Sequence, residues 1–124
     1  MLVKDERICF DFLKSSEGKY LSNCELFQTD IYGDTLRAPR TAIGYTADCK
    51  VVLFIADGRN SGGSAGLTLE EEARIMIGLG CTDVLNLDGG GSTMMTVGNA
   101  ATLLNTPSDG QQRAVYSYVA IIGK

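Results

Sequence analysis

Apolar and polar residues alternate along this chain in short runs that predict strands around one helix. Val51–Ala56 is apolar throughout, which is typical of a strand covered on both faces. Residues 41–45 precede it across a turn at 47–50, so the two runs predict a hairpin. Weaker patterns predict a turn at residues 17–19 and strands at residues 8–13, 24–32, 83–87, 92–97 and 113–122.

One stretch has the period of a helix. Thr68 is a good N-cap and Glu71, three residues later, completes a capping box. Gly78 or Gly80 is expected to end the helix. Its apolar face, at i, i+4, i+7 and i+8 spacing, consists of Leu69, Ala73, Met76 and Ile77.

The order strand, helix, strand from residue 51 to residue 87 predicts a βαβ unit with two adjacent parallel strands. Parallel strands end at the same edge of a sheet, so the residues that follow them should meet there. The sequence therefore predicts a single domain over residues 1–124, of α/β or α+β class, with a mixed sheet, a βαβ unit and one main helix.

Composition narrows the function classes. The chain has 124 residues, 44% hydrophobic and 21% charged, which is typical of a globular domain. A net charge of −4 and the lack of a basic stripe argue against nucleic-acid binding. No apolar run approaches the roughly 20 residues of a membrane span, so no transmembrane segment is expected. Residues 1–12 carry acids among the apolar residues, which is unlike a signal peptide.

The chain contains no histidine, which excludes Ser–His–Asp and Cys–His catalysis and the common zinc sites. The four cysteines, at positions 9, 24, 49 and 81, have no C-x-x-C spacing. Each stands in or beside an apolar run. Buried free thiols are the first interpretation, and disulfides in an exported protein are the alternative.

The most informative motif is the acid and triple glycine Asp88-Gly89-Gly90-Gly91, followed by Ser92. Three consecutive glycines are entropically costly to order, and a plain turn needs fewer. They indicate a backbone that comes close to a ligand and offers its amides to an anion. A tight strand-to-strand turn with a capping aspartate is the alternative.

Other charged residues are predicted to meet this motif at the same sheet edge. Arg59 suits bidentate binding of phosphate or carboxylate. Asp57 and Asp88 would repel that anion unless they act in chemistry, either as the acid pair of glycosyl transfer or as ligands of a divalent cation. Alternatively, Asp57 and Arg59 form a structural ion pair and Glu71 is only a helix cap.

Six motifs occur in order over about residues 37–124. They are residues 39–44 (PRTAIG), 57–59 (DGR), 64–71 (SAGLTLEE), 79–81 (LGC), 86–92 (NLDGGGS) and 105–110 (NTPSDG) with Arg113. Together these motifs resemble the phosphodiester glycosidase family, which has many bacterial members.

The resemblance implies hydrolysis of the bond between the anomeric carbon of a sugar and a phosphate that carries another group. Carried over by position, Asp88, Asp57 and Glu71 would be catalytic. The substrate-binding set would be Arg40, Thr41, Arg59, Gly89, Gly90, Gly91, Ser92 and Arg113. The implied ligand is a phosphorylated sugar or glycan. No cofactor is firmly implied, although Ca²⁺ or Mg²⁺ is an open alternative.

The chain departs from the family pattern before residue 37, where family members have a longer N-terminal half with an Asn-Gly-Gly-Phe-Phe-like segment. Family members are also commonly exported. A second copy or another chain could supply missing strands. The sequence thus predicts a phosphodiester glycosidase and leaves two alternatives open. They are a non-catalytic phosphoglycan-binding module or inactive homologue, and a divalent-cation phosphodiesterase.

Overall fold

A computed structural model describes residues 2–8, 10–14, 20–22 and 36–123 of the chain. Its main sheet contains β1 (Val3–Lys4), β2 (Arg7–Ile8), β5 (Arg40–Thr46), β6 (Val51–Ala56) and β7 (Cys81–Asn86), in the spatial order β2-β1-β7-β5-β6. Every neighbouring pair in this sheet is antiparallel. Two antiparallel pairs stand beside it: β3 (Phe10–Lys14) with β4 (Tyr20–Ser22), and β8 (Thr96–Val97) with β9 (Thr102–Leu103).

The single α-helix of the described residues, α1, runs over Leu69–Gly78. Thr68 caps it as predicted: its hydroxyl accepts from the Glu71 amide, and the Glu71 carboxylate accepts from the Thr68 amide. The helix ends at Gly78, and Gly80 then adopts a left-handed φ of 89°. The capping box and the α+β class with one main helix are thereby confirmed.

The core lies between α1 and one face of the sheet. It consists of Leu2, Val3, Ala42, Leu69, Ala73, Met76, Cys81 and Val84. Gly44 in β5 makes this packing feasible, because a Cβ there would lie 2.6 Å from Cys81 Sγ and 2.7 Å from Met76 Cε. Met76 is therefore a core side chain, as its place on the apolar helix face predicted.

The crossover from β6 through α1 to β7 differs from the prediction in one respect. β6 and β7 run in the same direction, but β5 lies between them and pairs antiparallel with both. The predicted adjacent pairing of β6 and β7 is wrong, because the β5–β6 hairpin places β5 on the side of β6 where β7 was expected. The carboxyl ends of β6 and β7 nevertheless lie at the same edge, on either side of the start of β5.

Two further strand predictions are wrong. Val51–Ala56 is not covered on both faces: it is the edge strand, and Val51 and Leu53 are 54% and 38% exposed. Residues 113–122 form no strand, because alternation supplies strand propensity but not a pairing partner. The predicted turn at 17–19 and strand at 24–32 lie outside the described residues.

Candidate functional site

Three glycines from separate motifs close on the backbone of Ala38 and Pro39 at the start of β5. A Cβ on Gly58 would lie 2.7 Å from Pro39 N, and one on Gly89 would lie 2.7 Å from Pro39 O. A Cβ on Gly66 would lie 2.6 Å from Ala38 O. Only glycine fits at these positions, because the backbones approach too closely for a Cβ. The residues that follow β6 and β7 can therefore pack against the start of β5.

Asp57, the first residue after β6, has both carboxylate oxygens occupied. Oδ1 accepts from Asn105 Nδ2 at 2.9 Å, and Oδ2 accepts from the Thr106 amide at 3.0 Å. Asn105 also donates to Thr93 O and accepts from the Met95 amide. Asp57 therefore binds the loop after β9 and does not pair with Arg59 among the described residues.

Arg59 is presented by a strained loop. Its φ is 56° and that of Asn60 is 63°, a left-handed conformation that costs a non-glycine residue about 1 kcal/mol. Contacts within the loop hold it: the Ser64 hydroxyl donates to Asp57 O at 2.6 Å, and the Asn60 amide donates to Ser64 O at 2.8 Å. The exposed Arg59 guanidinium forms no ion pair among the described residues.

The triple glycine forms a single 3₁₀ turn, Gly90–Ser92. Arg59 lies over its first residue, since a Cβ on Gly90 would lie 3.1 Å from Arg59 Nη2. The Gly90 amide donates to Pro39 O at 3.0 Å, so at least one of the three amides is used within the fold. The structure thus brings Arg59 and the glycine turn together, as the sheet-edge prediction required.

Asp88 stands two residues before this turn. Its side chain is exposed and has no hydrogen bond or ion pair with the described residues. A carboxylate without a structural partner at the mouth of a turn is available to a ligand. Asp88 and Asp57 thus differ sharply in surroundings although both follow strands at one edge.

The end of the turn is tied to the loop that follows β9. Arg113 donates to Ser92 Oγ from Nε at 3.2 Å and from Nη2 at 2.7 Å, and its Nη1 donates to Asp109 Oδ2 at 3.2 Å. Asp109 belongs to the NTPSDG motif, but sequence reasoning gave it no role. Asn105, in the same motif, was likewise missed as the residue that joins both strand ends.

Arg40 and Thr41, at the start of β5, are bonded within the fold. Arg40 is only 8% exposed, and its Nε and Nη2 donate to Leu67 O and Leu36 O. Burial lowers the pKa of Arg40. The Thr41 hydroxyl donates to Thr93 Oγ1 at 3.2 Å, which ties β5 to the residue that follows the glycine turn.

Glu71 lies at the N-terminus of α1 and serves the cap. Its carboxylate binds the Thr68 amide and forms an ion pair with Arg37. The Thr68 amide hydrogen bond, and then Arg37, lower the pKa of Glu71. Glu71 thus acts as a helix cap, which was the alternative to a catalytic role in the sequence analysis.

Glu72 is a buried acid that the sequence analysis did not single out. It is fully buried on α1, and neither carboxylate oxygen has a hydrogen-bond partner in the described part of the chain. Desolvation raises the pKa of Glu72 to about 8, against the opposing charge of Arg40. Its position, three residues after Leu69 and four before Met76, is the signal that would have revealed it, because both neighbours belong to the apolar helix face.

The described residues also bear on three other predicted features: a metal site, a membrane span and the cysteines. No group of three or more Cys, Asp or Glu side chains there is arranged to hold a metal ion. No described helix is both long enough and apolar enough to cross a bilayer. Cys49 is an exposed free thiol and Cys81 a buried one, whereas Cys9 and Cys24 lie outside the described residues.

The chain is a member of the phosphodiester glycosidase family, whose profile matches residues 1–122. The resemblance noted from the motifs is thereby confirmed. The chain is 36% identical to the SPbeta prophage-derived uncharacterized protein YomE of Bacillus subtilis over 86 residues. These residues are 69% of this chain and 13% of that protein.

Two vertebrate enzymes are also similar to this chain. The human N-acetylglucosamine-1-phosphodiester alpha-N-acetylglucosaminidase is 39% identical over 70 residues, 56% of this chain and 13% of that enzyme. The catalytic domain of the zebrafish enzyme, auto-inhibited by its pro-peptide, superposes with a TM-score of 0.62 over 86% of this chain and 33% of that one. At 23% identity this superposition shows the fold alone. The chain spans 13% of the length of these curated relatives.

Proposed function

We propose that this chain carries the reacting edge of a phosphodiester glycosidase. The substrate is a sugar whose anomeric carbon is bonded to a phosphate that carries a second group. One observation supports this most strongly: the exposed Arg59 guanidinium lies over Gly90 of the glycine turn, and the exposed Asp88 precedes that turn.

The two exposed charges have different tasks in this proposal. Arg59 binds the phosphate, since a guanidinium offers a planar pair of donors to its oxygens. The amides of Gly89 and Gly91 and the hydroxyl of Ser92 lie beside it as further donors. Asp88 disfavours binding of an anion in the ground state, so its presence is best explained by stabilisation of the transition state, in which the sugar ring becomes positive.

The other predicted site residues are proposed to support this edge, because their polar atoms are bonded within the fold. Asp57 holds the loop after β9, and Glu71 holds the start of α1. Arg40, Thr41 and Arg113 hold the strand start and the turn. The name of the human relative supports an N-acetylglucosamine-1-phosphodiester as the first substrate to test.

The test is hydrolysis of methyl N-acetylglucosamine-1-phosphate in isotope-labelled water, by the wild-type chain and by Asp88→Asn. Label in the released sugar is expected, because water attacks the anomeric carbon and the phosphate leaves with the bonding electrons. Asp88→Asn should reduce turnover by at least about 10²-fold, the scale for the loss of one electrostatic contact to the transition state.

Two results would contradict the proposal. Label in the phosphate would mean attack at phosphorus, which is the chemistry of a divalent-cation phosphodiesterase. A wild-type chain that binds the sugar phosphate without turnover, and binds it more tightly as Asp88→Asn, would be a non-catalytic phosphoglycan-binding module.

A further inference from the structure

The carboxylate of Asp109 lies directly on the glycine turn. A Cβ on Gly91 would lie 2.2 Å from Asp109 Oδ2 and 2.6 Å from its Cγ. Gly91 is buried and is not among the residues with a left-handed φ. Its backbone conformation therefore does not require glycine, and the Asp109 carboxylate occupies the space that a Cβ would fill.

A specific contact holds the Asp109 carboxylate in place. Arg113 Nη1 donates to Oδ2 at 3.2 Å, while Nε and Nη2 of the same guanidinium donate to Ser92 Oγ. Arg113 thus bridges the end of the glycine turn and the loop that carries Asp109. Because Asp109 and Arg113 remain partly open to solvent, this pair stabilises the fold little, and its main effect is positional.

The neighbouring glycine, Gly90, faces a group of the opposite charge. Gly90 faces the Arg59 guanidinium, and Gly91 faces the Asp109 carboxylate. Consecutive Cα atoms are about 3.8 Å apart, so both groups lie over one short piece of backbone. No ion pair joins Arg59 to Asp109 among the described residues, and the ion pair of Asp109 with Arg113 uses Oδ2.

We infer that Asp109 is a further reacting residue of the site, the base that accepts a proton from the attacking water. This inference rests on the proposed function. The water oxygen bonds to the anomeric carbon, its proton passes to Asp109, and the bond from that carbon to the phosphate oxygen breaks with its electrons on the phosphate. A phosphate monoester leaves as a stable anion, so the step needs a base for water more than an acid for the leaving group.

Two variants test this assignment by different routes. Asp109→Asn removes the base but keeps the shape, and should lower kcat by at least about 10²-fold. Gly91→Ala inserts a methyl group where the carboxylate lies, and only that flexible side chain has to move. It should lower kcat about tenfold or more with KM nearly unchanged and the fold retained.

The matched control is Asp83→Asn, an aspartate that pairs with Lys4 at the other end of β7 and should leave kcat unchanged.

Binding of inorganic phosphate separates this inference from the proposed function. If Asp109 faces the anion over the turn, Asp109→Asn should tighten phosphate binding several-fold. Wild-type turnover with unchanged kcat in both Asp109→Asn and Gly91→Ala would overturn the inference and leave the proposed function standing. A wild-type chain that neither binds phosphate nor hydrolyses the phosphodiester would instead overturn the proposed function.

Discussion

Asp57-Gly58 follows β6 and Asp88-Gly89 follows β7 through Leu87, so the same dipeptide stands at two strand ends on one sheet edge. Both glycines contact the backbone of Pro39. The acids differ, since Asp57 binds Asn105 and Thr106 while Asp88 is exposed without a described partner. After β6 the exposed charge is the cation Arg59, and after β7 it is the anion Asp88.

This contrast shows how one local sequence acquires two tasks. The glycine serves the same purpose at both ends, because only a residue without a Cβ lets the backbones approach. Asp57 is structural because the loop after β9 donates hydrogen bonds to it. Asp88 receives no such bond from the described residues and is available to a ligand. Four measurements test this difference between the two strand ends.

The largest effect is expected from filling the glycine positions. Gly58→Ala would meet three backbone atoms within 2.9 Å, whereas Gly89→Ala would meet one at 2.7 Å. We expect losses of about 3 kcal/mol and about 1–2 kcal/mol in unfolding free energy, measured by denaturant titration. Gly78→Ala, with nothing within 4 Å, is the control and should be neutral or stabilising. Equal tolerance at positions 58 and 78 would contradict the close contact with Pro39.

A third acid, Glu72, extends the comparison to full burial. Its pKa is about 8 in the folded state and 4.5 as a free side chain. Between these values the folded state holds a proton that the unfolded state has lost. Stability is therefore expected to fall as the pH rises through this window, by at most about 1.4 kcal/mol per pH unit.

Thermal unfolding of the wild type and of Glu72→Gln across this pH range measures that slope. Glu72→Gln has no proton to lose and should flatten the curve. An equally steep curve in the variant would show that another group produces the dependence.

The cation after β6 is tested by phosphate affinity. Arg59→Ala should weaken phosphate binding by about 1.5–3 kcal/mol, the scale of a charge-assisted hydrogen bond, as measured by titration calorimetry. Arg59→Lys keeps the charge but loses the paired donors, so an intermediate affinity is expected. Unchanged affinity in Arg59→Ala would remove this residue from the site.

The last prediction compares the two acids directly. Asp57→Ala removes two hydrogen bonds from the loop after β9 and should cost about 1–3 kcal/mol of unfolding free energy. Asp88→Ala should change stability by less than about 0.5 kcal/mol, because the side chain is exposed and has no partner among the described residues. The reverse ranking would mean that Asp88 is the structural acid.

The sequence by itself determined the local features of this protein. The capping box at Thr68, the apolar face through Met76 and the β5–β6 hairpin follow from periodicity and capping, which act over a few residues. The rule that strand ends share an edge also predicts that Arg59 and the glycine turn lie close together. Six ordered motifs were enough to indicate the family.

Only the tertiary structure decided which strands are neighbours and which acids are occupied. Periodicity does not state that β5 lies between β6 and β7, because pairing is a long-range choice among strands of similar propensity. Nor does it state that Asn105 reaches Asp57, or that Asp109 lies on Gly91. These contacts join residues 48 and 18 positions apart, a separation that no local pattern records.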